Sequence, residues 1–317
     1  MFEIIENQIE VVVIELTNKC DLNCVFCPVN EKINEINLAL LKKFLKDNNN
    51  FENPIKTFEL GWNGNPLLHK RIEKILELIQ YYQINLNIVT NGYNLKDIIA
   101  FFEDELLKNI HFTIFLDSSN EEKNDYLMGT KKAFKRTIES VEYLLARNLR
   151  YDFLMRINSK NYDEIESVLE IAKFYHSNLL IPVETFPFME DKNFLLADDM
   201  KSKVIATIDR LRNMGEPIHK VIQFEQPFGN CTYLRNKRLF INSNGKLSFC
   251  HFLSILKNTE MPEIKNKSTE ELINFNNNLR NTFVSKKNEK LKKWNLPKKT
   301  ASPCSYCLCH FGVNEKW

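Results

Sequence analysis

The chain has 317 residues, 44% of them hydrophobic and 26% charged, which is the composition of a globular protein with one large domain, or one domain and an appendage, and excludes a disordered or low-complexity chain. Its formal net charge of +2 gives no ground to expect nucleic acid as a partner, and no apolar run approaches the roughly 20 residues that cross a bilayer. The opening "MFEIIENQIE" lacks a signal-peptide pattern, so the eight cysteines are expected to be reduced and the protein cytoplasmic.

The first predicted strand, residues 9–16, runs into "TNKCDLNCVFCPVN", which carries Cys20, Cys24 and Cys27. A structural zinc site takes four ligands, so three close cysteines point to a metal centre with one coordination position left open for chemistry. Thiolate suits zinc, copper(I) and iron–sulfur clusters alike, and three cysteines on a four-iron cluster would expose the fourth iron. A helix is predicted over 37–48 and a second strand over 56–60, followed by the loop "GWNGNPLLHK" and a helix over 71–82. His69 is placed at the opening of that helix and is not read as a ligand. The third strand, 84–90, ends in Thr90, Asn91 and Gly92, where Asn-Gly is first of all a turn signal. A helix over 95–108 leads to the fourth strand, 110–116, and to Asp117 and Ser118 at its end. A helix over 134–148 and strands over 151–157 and 179–184 complete six βα units. Strands alternating with helices favour a parallel sheet with right-handed crossovers, and six units amount to an incomplete TIM-like barrel whose site lies at the C-terminal strand ends.

The last third changes character and holds five of the eight cysteines. "RLFINSNGKLSFC" reads as a β-hairpin with Gly245 in its turn and Cys250 at its end. "SPCSYCLCH" supplies Cys304, Cys307 and Cys309. Cysteine pairs from a hairpin and a C-x2-C knuckle describe a zinc ribbon as well as an iron–sulfur site.

The C-x3-C-x2-C spacing after a first strand, with Phe26 before the third cysteine, resembles the signature of radical S-adenosylmethionine (SAM) enzymes. The resemblance implies a four-iron four-sulfur cluster on Cys20, Cys24 and Cys27 whose open iron binds SAM and cleaves it to a 5′-deoxyadenosyl radical. Gly64, Asn65 and Pro66 are similar to the last three positions of the family's GGEP motif, whose backbone contacts the SAM amino group; Asn65 departs from the usual acid and would offer an amide oxygen without charge. Implied cofactor contacts are therefore Phe26, Gly64, Asn65, Pro66, Thr90, Asn91, Asp117 and Ser118, with Arg136 and Arg156 as candidates for the SAM carboxylate. Cys231, Gly245-x4-Cys250 and Cys304-x2-Cys307 resemble the SPASM extension in its shortened twitch form, which implies a second, auxiliary four-iron four-sulfur cluster on Cys231, Cys250, Cys304 and Cys307. The implied organisation is an α/β partial (βα)6 barrel over 1–215 with a small hairpin-and-helix cluster domain over 216–317.

Cys309 is then surplus: a substitute ligand, a bystander, or a thiol that donates a hydrogen atom to a substrate radical. The main expectation is hydrogen abstraction from a polar small molecule such as a sugar intermediate, ending in oxidation or epimerisation. The alternative is a peptide- or protein-modifying maturase, set second because only about ten residues precede the first strand where many peptide maturases carry a leader-recognition domain. A non-enzymatic metal-binding module is the outside alternative. The lysine-rich stretch 285–300 reads as a solvated face or as a docking site for an acidic flavodoxin-like or ferredoxin-like electron donor.

Overall fold

The structure, a computed structural model, describes residues 9–27, 33–185, 192–220, 237–248, 250–251, 254, 262–279 and 281. Strand β1 (Val11–Ile14) is made wholly of β-branched residues, and β2 (Thr57–Leu60), β3 (Asn85–Thr90), β4 (Ile110–Phe115), β5 (Arg150–Ile157) and β6 (Leu180–Glu184) pair in parallel with their sequence neighbours. Each predicted strand is found, shortened at one or both ends except β5, which begins one residue earlier than predicted. The crossovers carry helices α1 (Leu38–Asn49), α2 (Ile72–Tyr81), α3 (Leu95–Ile99), α4 (Asp104–Leu107), α5 (Glu121–Met128), α6 (Ala133–Ala146) and α7 (Ile165–Phe174), and α8 (Asp198–Asn213) follows β6.

Local chemistry sets these helices. Asn37 caps α1, its Oδ1 accepting from the N–H groups of Ala39 (2.8 Å) and Leu40 (3.3 Å), and Leu41, Phe44 and Leu45 bury one stripe at helical spacing. The single helix predicted over 95–108 is two short ones, because Arg147 holds the break open: its guanidinium donates to the carbonyls of Ile99 (3.2 Å) and Phe102 (3.1 Å) and to Asp104 Oδ1 (2.7 Å). His69 precedes α2 as a buried structural group, its Nε2 3.1 Å from the Ile36 carbonyl and its Nδ1 accepting from the Arg71 N–H.

One face of the sheet is buried under these helices. Val12, Ile14, Phe58, Leu60, Ile88, Phe112 and Phe153 form with Leu41, Phe44, Ile75, Val141 and Val168 a single core. Because side chains alternate along a strand, the inner face carries the other set, including Glu59, Asn87, His111, Thr113 and Asp152.

The hairpin is present as β7 (Arg238–Ile241) and β8 (Leu247–Ser248), antiparallel, with Gly245 at φ 72° in the turn. Strand β7 lies parallel to β1, on the side away from β2, so the order is β6-β5-β4-β3-β2-β1-β7-β8 and the sheet is not closed. No helix among the described residues is long and apolar enough to cross a membrane.

Candidate active site

The cysteine loop leaves the C-terminal end of β1, where parallel α/β sheets build their sites. Leu22 and Phe26 are buried and pin it to the body, whereas Cys20 and Cys27 are exposed and Cys24 is half-buried. Neighbouring loops clamp its backbone: Asn65 N–H donates to the Lys19 carbonyl (2.8 Å), and Val25 N–H to the Leu127 carbonyl (3.1 Å). The closest approaches are at glycines. A Cβ on Gly64 (φ 87°) would stand 2.6 Å from the Thr17 carbonyl oxygen, and one on Gly129 (φ 61°), the left-handed cap of α5, would stand 1.8 Å from the Asn23 carbonyl oxygen. Only residues without a side chain let α5 and the β2–α2 loop meet the cysteine loop this way.

The surroundings hold the bare thiols of Cys20 and Cys24 protonated. Desolvation by the adjoining loops pushes Cys20 up to about 12, although part of the residue still meets solvent. Burial likewise raises Cys24, with the Arg156 guanidinium pulling the other way. Arg156 projects from β5 toward the loop, its Nη1 and Nη2 at 3.8 and 3.7 Å from Cys24 Sγ and its carbon centre 4.6 Å from the Phe26 ring. Asp117, fully buried, binds it through Nε (3.0 Å) and Nη2 (2.6 Å), and although burial alone would lower the Arg156 pKa, that contact raises it further above its ordinary range, so the guanidinium stays charged. The other candidate, Arg136, is engaged elsewhere, with the Tyr93 carbonyl, Asn94 and Asp97.

Asn65, Thr90 and Asn91 converge in one buried network. The Asn65 side-chain oxygen accepts from Thr90 Oγ1 (3.1 Å) and Leu67 N–H (3.3 Å), so the oxygen expected to face an ammonium already has two donors. Its amide nitrogen faces Asp21 at 3.2 Å. Pro66 opens a 3-10 turn capped by Asn65. Ser118 is buried and donates to Glu164, turned away from the cysteine loop.

The hairpin closes the other side. Asn63 Nδ2 donates to Glu15 (2.8 Å), the His251 carbonyl (3.0 Å) and Ser254 Oγ (2.8 Å), while the Trp62 and His251 rings stack at 4.4 Å. Burial drives the His251 imidazole down to about 3, so it is neutral here. Cys250 is buried beside it. Beneath the site the inner face carries a polar band: Arg238 pairs with Glu59 (2.9 Å), Asn87 donates to Glu59 (3.2 Å) and accepts from Thr113 (3.0 Å), and His111 meets Asp152 (2.9 Å).

A family profile described as the Radical SAM superfamily matches residues 14–172, half of the chain, from the end of β1 into α7, with the cysteine loop, Asp117 and Arg156 inside it. The chain belongs to the radical SAM superfamily. Curated relatives include the GTP 3′,8-cyclase of Aquifex aeolicus, 27% identical over 65% of this chain and 64% of that protein, and the Sporulation killing factor maturation protein SkfB of Bacillus subtilis, 27% identical over 50% and 38%. The chain thus spans less than two thirds of these relatives' length. Among solved structures, Streptococcus suis SuiB bound to its precursor peptide SuiA has a TM-score of 0.66 at 16% identity, covering 83% of this chain and 64% of that one. The structure of anSMEcpe with bound AdoMet and Kp18Cys peptide has a TM-score of 0.68 at 16% identity, covering 85% and 81%. These likenesses show the fold, an open α/β parallel sheet of the partial-barrel kind.

As a radical SAM chain, this protein is an enzyme of a family that works with a four-iron four-sulfur cluster and SAM, and the donor set fits the cluster. Among the described residues no three Cys, His, Asp or Glu side chains gather around one point as a single ion requires. Three thiols spaced along an outward-facing loop suit a larger cluster, in which each sulfur binds a different iron and the metal's charge favours the thiolate form of ligands such as Cys20 and Cys24, which the bare protein keeps protonated.

Several of these groups escape a motif reading. Asp21 lies inside the cysteine motif and its charge was the available signal; Met128, Gly129 and Thr130 support the loop from a helix that no motif marks. Cys231, Cys304, Cys307, Cys309 and the stretch 285–300 lie outside the described residues.

Proposed function

We propose that this chain is a peptide- or protein-modifying radical SAM enzyme, the second of the two readings its sequence offers. What carries the proposal is the likeness, over more than four fifths of the chain, to SuiB bound to a precursor peptide and to anSMEcpe bound to peptide substrates, joined by the sequence similarity to SkfB. The small-molecule reading keeps one support, the similarity to GTP 3′,8-cyclases.

In this reading Cys20, Cys24 and Cys27 hold the SAM-binding cluster, which supplies the reductive cleavage of SAM to the 5′-deoxyadenosyl radical. Arg156, kept ionised by Asp117, presents a guanidinium toward that loop for the SAM carboxylate. Phe26, Gly64, Pro66, Thr90 and Asn91 shape the surrounding walls. The substrate lies against the polar band of the inner face, whose alternating donors and acceptors suit backbone amides. The C-terminal segment, 216–317, holds the auxiliary cluster on Cys231, Cys250, Cys304 and Cys307, with Cys309 as hydrogen-atom donor in an epimerisation or idle in an oxidation. A flavodoxin-like or ferredoxin-like donor reduces the clusters, docking on 285–300.

The test uses anaerobically reconstituted protein and short peptides encoded beside its gene. About eight irons per chain are expected, four per cluster, and replacing Cys20, Cys24 and Cys27 together with Ala should remove about half of them and stop 5′-deoxyadenosine formation. A peptide deuterated at the reacting carbon should pass deuterium into 5′-deoxyadenosine. Label transfer from nucleotides or sugars, with none from any peptide, would overturn the proposal.

A further inference from the structure

Asp21 is a charge without a counter-charge. Its carboxylate accepts from three neutral amides, Asn91 Nδ2 at 2.7 Å, Asn94 Nδ2 at 2.9 Å and Asn65 Nδ2 at 3.2 Å, and among the described residues no cation pairs with it. Two other charges of the site differ: Arg156 is matched by Asp117 and Glu59 by Arg238. Neutral amides fix a carboxylate in place and leave its charge whole. Three asparagines from the loops after β2 and β3 therefore hold a rigid anion at the C-terminal strand ends, half-buried and open on one side.

Its place says what the anion faces. The Asn91 amide that donates to Asp21 also reaches Cys20 Sγ at 3.5 Å, so the carboxylate borders the first thiol of the cysteine loop. SAM carries an ammonium and a carboxylate on one carbon. An anion held beside the cluster attracts the first and repels the second, and the cation of Arg156 lies apart, on the Cys24 side of the loop. Position 65 explains why the anion is needed. Asn65 brings no charge, its oxygen is occupied by Thr90 and Leu67, and its nitrogen points at Asp21.

We infer that Asp21 is the anionic partner of the SAM α-ammonium in this chain, supplying from the cysteine loop the negative charge that residue 65 lacks. The inference rests on the assignment of Cys20, Cys24 and Cys27 to a SAM-binding cluster. Asp21 and Asn65 then form a charge exchange, the acid on one side of a 3.2 Å contact and the amide on the other. Either arrangement places a single carboxylate in the same space.

The experiment measures equilibrium binding to anaerobically reconstituted full-length protein of two probes: SAM, and an analogue with hydrogen in place of the α-amino group. Asp21→Asn should weaken SAM about tenfold or more, the scale of a lost charge-assisted hydrogen bond, and leave the analogue unchanged. The double variant Asp21→Asn with Asn65→Glu should regain most of the SAM affinity. In metal-free protein, Asn65→Glu alone should lower the melting temperature by setting two carboxylates against each other, and adding Asp21→Asn should restore part of it. Unchanged SAM affinity in Asp21→Asn, or equal weakening of SAM and the analogue, overturns the inference while the SAM site stands. Failure of the wild type to bind SAM defeats the assignment itself.

Discussion

Asp117 and Arg156 form the buried ion pair on which the cysteine loop leans. Breaking such a pair from one side leaves a desolvated charge and costs on the order of 3 kcal/mol. Asp117→Asn should therefore lower unfolding free energy by about that amount in urea titrations, and Arg156→Lys by less, since it keeps the charge and loses the fork geometry. A second effect concerns alkaline pH. Tyr151 is buried and donates its hydroxyl to the Tyr175 carbonyl, and burial pushes it up to about 12 from an ordinary 10. A raised folded value favours the protonated form in the fold, so this stability is complete below pH 10 and is lost between pH 10 and 12. Tyr151→Phe should show a shallower loss of stability across that window. At this scale the three thiols could be singled out from spacing and Asp117 from its place after a strand, but the sequence set Asp117 toward the cofactor or substrate and gave no sign of the ion pair it makes with Arg156. The choice between Arg136 and Arg156 was not legible: both are arginines near the right loops, and only packing shows that one is spent on Asp97 and the other faces Cys24.

The six parallel strands could be read from runs of Val, Ile, Leu and Phe, and α1, α2 and α6 from their apolar spacing. The split of 95–108 could not, because Arg147, which satisfies the carbonyls at the break, stands more than 40 residues away. Helix α5 went unread for a related reason: its work is done by its C-terminal cap and not by an apolar stripe. Gly129→Ala tests that work against a matched control. Gly215 has a similar backbone (φ 80°) with nothing within 4 Å of an added Cβ, so Gly215→Ala should cost about 1 kcal/mol for its conformation alone. Gly129→Ala must in addition push the Asn23 carbonyl aside. It should show a larger drop in melting temperature and, after reconstitution, less iron per chain, whereas Gly215→Ala keeps its full complement.

For the whole molecule, the inner face divides into the loop-bearing rim and the polar band below it. If the band receives substrate, His111→Ala should raise the peptide concentration needed for half-maximal turnover several-fold while SAM cleavage without peptide stays unchanged, read as separate 5′-deoxyadenosine and product yields. The hairpin itself was legible from "NSNGK" between two alternating runs. Its partner was not, since nothing local to residues 238–241 says that they will lie against 11–14. That pairing has a consequence for how the protein is made. Strand β1, which carries the cysteine loop, is synthesised well before β7, so one of its two edges stays bare until more than 220 further residues have been made. Contacts so distant in sequence form late and slowly, and an open strand edge invites pairing with other chains meanwhile. The nascent chain therefore needs shielding at this strand, and iron delivered before β7 has docked would meet a loop whose supporting strand is only half in place.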